Sequence, residues 1–250
     1  MTATRARRAL RALSTVLIAA GAIILTDAAL TVVWQEPTTA LLAKLRQDGL
    51  RSDLRELERA GPTPLELKAL AGLRDDRRRL AFLARSLRRR TEPGDAVARL
   101  RIPAIGVDKV VVKGSAPEDL RKGPGFYDEV ALPGVPGTTA IAGHRTTYGA
   151  PFRRLDDVDR GDRVVLELPY GRFTYRVERT RIVDPSALWV LRRKRYDRLV
   201  LSACHPLFSA AQRIVVFARL ERVEPTRSDT PWTSVGALRS TPQATTTGAR

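Results

Sequence analysis

Residues 163–183 read RVVLELPYGRFTYRVERTRIV and contain the clearest signal for the fold. The segments RVVLEL (163–168) and RFTYRVERTRIV (172–183) are rich in β-branched and aromatic residues, which are enriched in β-strands. PYG (169–171) separates them with residue types that are typical of a tight turn. The stretch therefore predicts two antiparallel strands joined as a β-hairpin.

Similar short β runs lie on both sides of this hairpin, with turn-forming Gly and Pro residues between them. The further predicted strands are AVARLRI (96–102), VDKVVV (107–112), TTAIAG (138–143), DRLVLSA (197–203) and RIVVFARLERV (213–223). Many short strands with few helices between them predict a mainly β protein, with the strands in a closed or nearly closed β-barrel.

Two helical segments precede the strands, over residues 38–60 and 64–90, and GPTP (61–64) interrupts the pattern between them. The second segment is rich in arginine. We therefore predict a helical, Arg-rich stalk over residues 35–94. Its charge has two interpretations, a surface that lies on anionic lipid or wall polymer and an ordinary solvated helical face.

Residues 13–33 form a mostly apolar stretch that would span roughly 30 Å as a helix, the thickness of a bilayer core. Several arginines precede it and Trp34 follows it, so the positive-inside rule places the N-terminus in the cytoplasm. We predict a basic cytoplasmic tail (1–12), a transmembrane signal anchor (13–34) and an extracellular position for the rest of the chain, which makes it a single-pass cell-membrane protein. Asp27 is unfavourable within an anchor. A cleaved signal peptide is the alternative, although no clear small-x-small cleavage site follows.

The chain is strongly basic, with 44 Lys and Arg residues against 27 Asp and Glu and a net charge of +17. Such a chain could bind nucleic acid, an anionic membrane or an anionic wall polymer, and charge alone does not choose among them. Aromatic residues make up 6% and are not interleaved with the arginine runs, which argues against a stacking platform for single-stranded nucleic acid. Residues 224–250 are rich in Thr, Ser and Pro and are predicted to be a disordered tail.

Cys204 is the only cysteine, so the chain can form no intramolecular disulfide and the thiol is either inert or reactive. It directly follows one apolar strand, and Arg213 directly precedes the next. If these strands pair antiparallel, Cys204 and Arg213 lie at the same rim of the barrel. His144 also lies at a strand end, but whether it shares that rim depends on strand direction, which the sequence leaves open.

These residue types suit nucleophilic catalysis. A thiolate is a strong nucleophile, histidine exchanges protons near neutral pH, and arginine can stabilise an oxyanion. His205 competes with His144 for the acid/base role, but adjacent strand-end residues point to opposite sides, so we prefer His144 and expect His205 to shape the loop. A metal site built from Cys204 and the two histidines lacks a fourth ligand, and we predict no metal or other cofactor.

Residues 95–223 resemble the catalytic domain of the sortases, and most closely the class E sortases of actinobacteria. The resemblance rests on AGHRTTYGAPF (142–152), LVLSACHP (199–206) and SAAQR (209–213), supported upstream by LRIP (100–103) and RKGPG (121–125). In one respect the sequence departs from the family. The family's usual Thr-Leu-x-Thr-Cys is VLSAC here, so Ala203 lacks the hydroxyl that usually precedes the nucleophile.

The resemblance implies an eight-stranded sortase-type barrel with short helices and a cysteine transpeptidase, grouped with the hydrolases, whose catalytic triad is Cys204, His144 and Arg213. Tyr148, Ala203 and His205 are the candidate substrate contacts. The expected substrates are secreted proteins with a C-terminal LAXTG- or LPXTG-like sorting signal. The signal would be cleaved between Thr and Gly through a thioester, and the protein transferred to a peptidoglycan precursor or another cell-wall amine.

Two alternatives remain open from the sequence. The first is a wall-modifying transpeptidase or cysteine peptidase of another family, and the second is a catalytically silent, membrane-tethered barrel that binds wall polymer. A nucleic-acid partner is disfavoured because an exported domain would not meet one.

Overall fold

A computed structural model describes residues 13–23, 25–26 and 37–226, and their strands form a closed β-barrel. The eight strands of this part of the chain are β1 (Ala96–Ile102), β2 (Val107–Lys113), β3 (Gly125–Phe126), β4 (Thr138–Ala142), β5 (Arg163–Leu168), β6 (Gly171–Val183), β7 (Arg198–His205) and β8 (Gln212–Pro225). Their order around the barrel is β1-β2-β3-β4-β7-β8-β6-β5. The predicted β-barrel is thus confirmed, with β3 as a strand too short to be recognised from sequence.

Strands β5 and β6 form the hairpin that the sequence predicts, with Leu168 paired to Gly171 across a two-residue turn. Alternate side chains, among them Leu166 and Phe173, are fully buried in the core. This alternation follows from the two-residue period of a strand, which turns successive side chains to opposite faces of the sheet. The apolar face therefore fills the barrel.

Two neighbouring pairings decide which strand ends meet. β4 runs parallel to β7, from Thr138 opposite Arg198 to Ala142 opposite Ser202. β7 in turn pairs antiparallel with β8. The carboxyl ends of β4 and β7 and the amino end of β8 consequently lie at one rim of the barrel, which we call the active rim.

Helices pack against the barrel and contribute to its core. From Pro37 onwards, the α-helices of the described residues are α1 (Pro37–Ala60), α2 (Pro64–Ala71), α3 (Asp76–Arg90) and α4 (Pro117–Leu120), and short 3-10 helices span Pro103–Ile105, Leu155–Asp157 and Leu188–Leu191. The predicted single segment over 64–90 is two helices, because Gly72 caps α2 and the Asp75 side chain accepts a hydrogen bond from the Arg77 amide at the start of α3.

The predicted stalk lies against the barrel rather than apart from it. Leu70 of α2 and Leu83 and Leu87 of α3 belong to the same buried apolar cluster as the strand residues. Helix α1 is fixed by Gln47, whose side-chain amide accepts a hydrogen bond from the Val110 amide (2.7 Å) and donates to the Val110 carbonyl (3.2 Å). The apolar helix faces are buried against the barrel, and the folded unit therefore begins well before residue 95.

The structure describes only part of the predicted anchor and tail. Residues 13–23 and 25–26 are helical with exposed apolar side chains, whereas the rest of the span, including Asp27 and Trp34, lies outside the described residues. Within the described part of the chain, no helix combines the length and apolarity needed to cross a membrane. Strand β8 continues to Pro225, two residues into the predicted tail, and the predicted cytoplasmic segment and residues 227–250 are likewise not described.

Substitution of Leu87 by Ala tests whether the helices belong to the same cooperative unit as the barrel. Leu87 is fully buried, so its truncation should lower the free energy of unfolding by about 2–5 kcal/mol. Leu65→Ala is the matched control, because Leu65 is 78% exposed and its loss should cost less than about 0.5 kcal/mol. Denaturant unfolding measures both. Equal stabilities of the two variants would contradict the packing of α3 in the core.

Candidate active site

The active rim brings together the three candidate catalytic residues. Cys204 pairs directly with Arg213 in the β7–β8 ladder. Ala142 of β4 pairs with Ser202 of β7, and His144 and Cys204 each follow two residues later. The parallel direction of β4 and β7 thus places His144 at the same rim as Cys204, which the sequence alone left open.

The three residues also share one face of the sheet. Leu199, Leu201 and Ala203 point into the barrel core, so by alternation Cys204 lies on the opposite, outer face with Val200. Val215 and Phe217 of β8 belong to the same outer cluster as Val200, which places Arg213 on that face as well. The same alternation along β4 places His144 there, because Ala140 is in that cluster.

Arg213 both supports the β7–β8 connection and has capacity for a further ligand. Its Nη1 donates hydrogen bonds to the carbonyl oxygens of Ala210 (2.9 Å) and Gln212 (3.0 Å). Its Nε and Nη2 make no hydrogen bond within the described residues. Cys204, its partner in the ladder, is half-buried and carries a free thiol. The guanidinium can therefore donate to an oxygen atom bound beside the thiol.

Backbone contacts fix the chain on both sides of His144. The Gly143 amide donates to the Ser202 carbonyl (3.0 Å), and the Phe152 amide donates to the His144 carbonyl (3.0 Å). Gly143 is required here because a Cβ would lie 2.5 Å from the ring of Phe152. The close approach of Phe152 thus fixes the path of the chain after β4 and the position of the His144 backbone.

The imidazole of His144 is half-buried beside an aromatic ring and a cation. Its ring centroid lies 4.9 Å from that of Tyr148, and the guanidinium of Arg121 lies 5.9 Å from the Tyr148 centroid. Burial and, to a lesser extent, the charge of Arg121 lower the pKa of His144 below its usual value. His144 is therefore mostly neutral at neutral pH and able to accept a proton. Its Nε2 is buried and has no hydrogen-bond partner among the described residues.

Helix α1 reaches this part of the site, which the sequence gave no reason to expect. Gly149 has a positive φ of 74°, and a Cβ there would lie 2.7 Å from the Cβ of Ala43. Arg46 donates a hydrogen bond to the carbonyl oxygen of Arg121 (3.3 Å). The helix thus packs against the loop after His144 and against the segment that carries the nearby cation.

The predicted substrate contacts have different surroundings. Tyr148 lies beside His144, in the left-handed backbone region with a φ of 53°. Ala203 is 3% exposed and packs in the core, so the structure does not bring its side chain to the surface of the site. His205 lies 2.9 Å from Arg145 (Nδ1 to Nη1), on the side of β7 opposite to Cys204. Sequence analysis missed Arg145, although it directly follows His144 in the quoted motif.

A thiol, a neutral imidazole and a guanidinium at one rim are the groups that an enzyme needs to form a covalent acyl intermediate. Among the described residues, no group of three or more His, Cys, Asp or Glu side chains is arranged to hold a metal ion. The site therefore has the composition of a cysteine acyltransferase or cysteine peptidase.

Comparison with known proteins identifies the family. Residues 100–221 match the family model described as "Sortase domain". Sortase D of Bacillus subtilis is 33% identical over 133 residues, which are 51% of this chain and 65% of the relative. Sortase SrtE1 of Streptomyces coelicolor is 30% identical over 158 residues, which are 56% of this chain and 44% of the relative. The chain thus spans less than two thirds of either relative.

Solved structures agree with the sequence relatives. Sortase E from Streptomyces avermitilis matches 54% of this chain and 93% of its own, with 31% identity and a TM-score of 0.50. The SrtF sortase from Corynebacterium diphtheriae matches 55% and 90%, with 27% identity and a TM-score of 0.52. The resemblance to the sortase family is therefore confirmed, and the chain carries a sortase domain. Sortases are cysteine transpeptidases that attach proteins to the cell wall.

Replacement of Arg121 by Gln tests the electrostatic environment of His144. Removal of this charge should raise the pKa of His144 towards its usual value, because a nearby cation disfavours the imidazolium. An NMR titration of the ring C–H signals measures the pKa, and His144→Ala assigns the signal because the chain has two histidines. Lys122→Gln removes the neighbouring cation and should leave the pKa nearly unchanged. Equal shifts in the two variants would contradict a specific effect of Arg121.

Proposed function

We propose that this chain is a cysteine transpeptidase that cleaves a C-terminal sorting signal and transfers the protein to an amine of the cell wall. The observation that supports it most directly is the pairing of Cys204 with Arg213 at the rim where β4 ends before His144. On this basis we assign Cys204 as the nucleophile, Arg213 as the oxyanion partner and His144 as the proton carrier for one bound peptide carbonyl. The sortase domain over residues 100–221 supports the same activity.

In the first half-reaction, neutral His144 takes the proton of the Cys204 thiol, and the thiolate attacks the carbonyl carbon of the scissile peptide bond. Arg213 stabilises the oxyanion of the tetrahedral intermediate through its free N–H groups. The carbon–nitrogen bond then breaks. The leaving amine receives the proton from His144, and the acyl group remains on Cys204 as a thioester. The lowered pKa of His144 makes its imidazolium a stronger acid towards this leaving group.

In the second half-reaction, an acceptor amine attacks the thioester and gives a proton to His144. The second tetrahedral intermediate again places its negative oxygen at Arg213. It collapses with release of Cys204, which recovers its proton from His144, so the cycle ends with no net gain or loss of protons. Water in place of the amine would give hydrolysis.

For the substrate, we propose an LAXTG- or LPXTG-like signal cleaved between Thr and Gly, with a peptidoglycan precursor or wall amine as the acceptor. Tyr148 is the residue that we assign to the peptide groove, because its ring lies beside His144. Such substrates meet the enzyme outside the cell. We therefore retain the signal anchor over residues 13–34 and an extracellular catalytic domain as parts of the proposal.

Mass spectrometry of the purified full chain with an LAXTG-type peptide and a glycine-based amine tests the proposal. We expect an acyl adduct on Cys204 and a product in which the Thr carbonyl is joined to the added amine. Cys204→Ala should give neither, because the variant has no nucleophile. A transfer product from Cys204→Ala would disprove the mechanism. A hydrolysed peptide without transfer, even at a high amine concentration, would instead indicate a peptidase.

Arg213→Lys tests the role of the guanidinium. A lysine keeps the charge but lacks the planar set of N–H groups, so kcat should fall roughly 100- to 1000-fold. Rates of thioester formation, measured by rapid quench, assign the loss to the acylation step. Arg219→Lys is a matched control on the same strand, since Arg219 pairs with Glu178 at the exposed surface. A normal rate in Arg213→Lys would exclude an oxyanion role for Arg213.

A further inference from the structure

Arg145 is a buried cation that the proposed reaction does not use. It is only 2% exposed, although it lies between the candidate acid/base and the surface loop that follows. Its Nη2 contacts Asp156 Oδ2 (2.6 Å), its Nη1 lies 2.9 Å from His205 Nδ1, and its Nε donates to the Arg153 carbonyl (3.3 Å). Burial of a guanidinium is costly unless such partners are present. These three contacts therefore hold Arg145 in its buried position.

The contact between Arg145 and His205 has a particular place in the sheet. β4 and β7 are parallel neighbours, and each continues past the register pair Ala142–Ser202. His144 and Cys204 follow on the outer face. Arg145 and His205 come directly after them in the two segments and are turned to the inner side. The contact therefore joins the segments that follow β4 and β7, one residue beyond His144 and Cys204.

We propose that Arg145 and His205 are positioning residues that fix the separation of His144 from Cys204. This role requires no contact of either residue with the substrate. Arg145 acts through His144, its neighbour in the chain, and His205 acts through Cys204 in the same way. This inference rests on the proposed function, because it assumes that His144 and Cys204 exchange a proton.

The chemistry of the contact sets requirements on both partners. Arginine has only donors, so the Nδ1 of His205 must accept and the ring proton must lie on Nε2. Asp156 supplies the negative charge for Arg145. Burial tends to raise the pKa of Asp156, but its hydrogen bond with Arg145, a backbone hydrogen bond and the charge of Arg145 outweigh this effect, so that the pKa lies below its usual value. Asp156 therefore remains ionised at neutral pH and keeps the guanidinium in place.

Substitutions of His205 separate positioning from simple structural support. His205→Asn places an amide oxygen near the position of Nδ1 and keeps an acceptor for Arg145, whereas His205→Leu fills similar space without one. His205 is half-buried and more tolerant of replacement than Arg145, which is 2% exposed and makes three polar contacts. The Asn and Leu variants thus form a pair that differs mainly in the hydrogen bond.

The rate of Cys204 alkylation by iodoacetamide, measured on the full chain as a function of pH, reports on the proton exchange between His144 and Cys204. The measurement needs no peptide substrate. Cys204 is the only cysteine, so each alkylation reports this site. We expect His205→Asn to keep the wild-type pH profile. In His205→Leu, alkylation near neutral pH should slow by about 10- to 100-fold, and the profile should shift towards that of His144→Ala.

The outcomes separate this inference from the proposed function. If His144→Ala alters the profile and His205→Leu retains the wild-type one, the positioning role is wrong and the proposed function stands. Equal losses in the Asn and Leu variants, with lowered unfolding midpoints in both, would show a structural role only. An unchanged profile in His144→Ala would overturn both proposals. If no peptide transfer is found but His144→Ala and His205→Leu share an altered profile, positioning is supported and the transfer reaction is not.

Discussion

The parallel pairing of β4 with β7 is the constraint on which the candidate site depends. β7 and β8 are consecutive and antiparallel, so Cys204 and Arg213 meet through a short connection. His144 comes from a strand far earlier in the chain, and an antiparallel β4 would have carried it to the opposite rim. The parallel arrangement requires a long crossover, which β5 and β6 supply on the other side of β8.

Alternation of side chains then gives the active rim two different faces. The outer face carries Cys204, His144 and Arg213, each of them partly exposed. On the inner side, the next residues, Arg145 and His205, contact each other at the mouth of the barrel. One strand register thus positions both the reactive groups and the polar contact behind them, because successive residues of a strand point in opposite directions.

The N-terminal helices contact the barrel and the loops beside the candidate site, so they are more than a spacer. Gln47 joins α1 to the backbone of β2, and Ala43 and Arg46 contact the segments that carry Gly149 and Arg121. Burial and, to a lesser extent, the charge of Arg121 in turn lower the pKa of His144. A fragment that lacks these helices would lose these contacts and would expose the apolar barrel surface that the leucines of α2 and α3 cover.

The sequence by itself determined seven of the eight strands of the described barrel, because the two-residue alternation is local, and it singled out Cys204 as the only thiol. It also indicated that Arg213 lies beside Cys204, since neighbouring strands joined by a short connection leave few other arrangements. Only the tertiary structure decided which rim His144 occupies, that the Arg-rich helices pack on the barrel, that Ala203 faces the core and that Arg145 contacts His205. These features depend on pairing and burial between segments distant in the chain, which no local pattern of residues encodes.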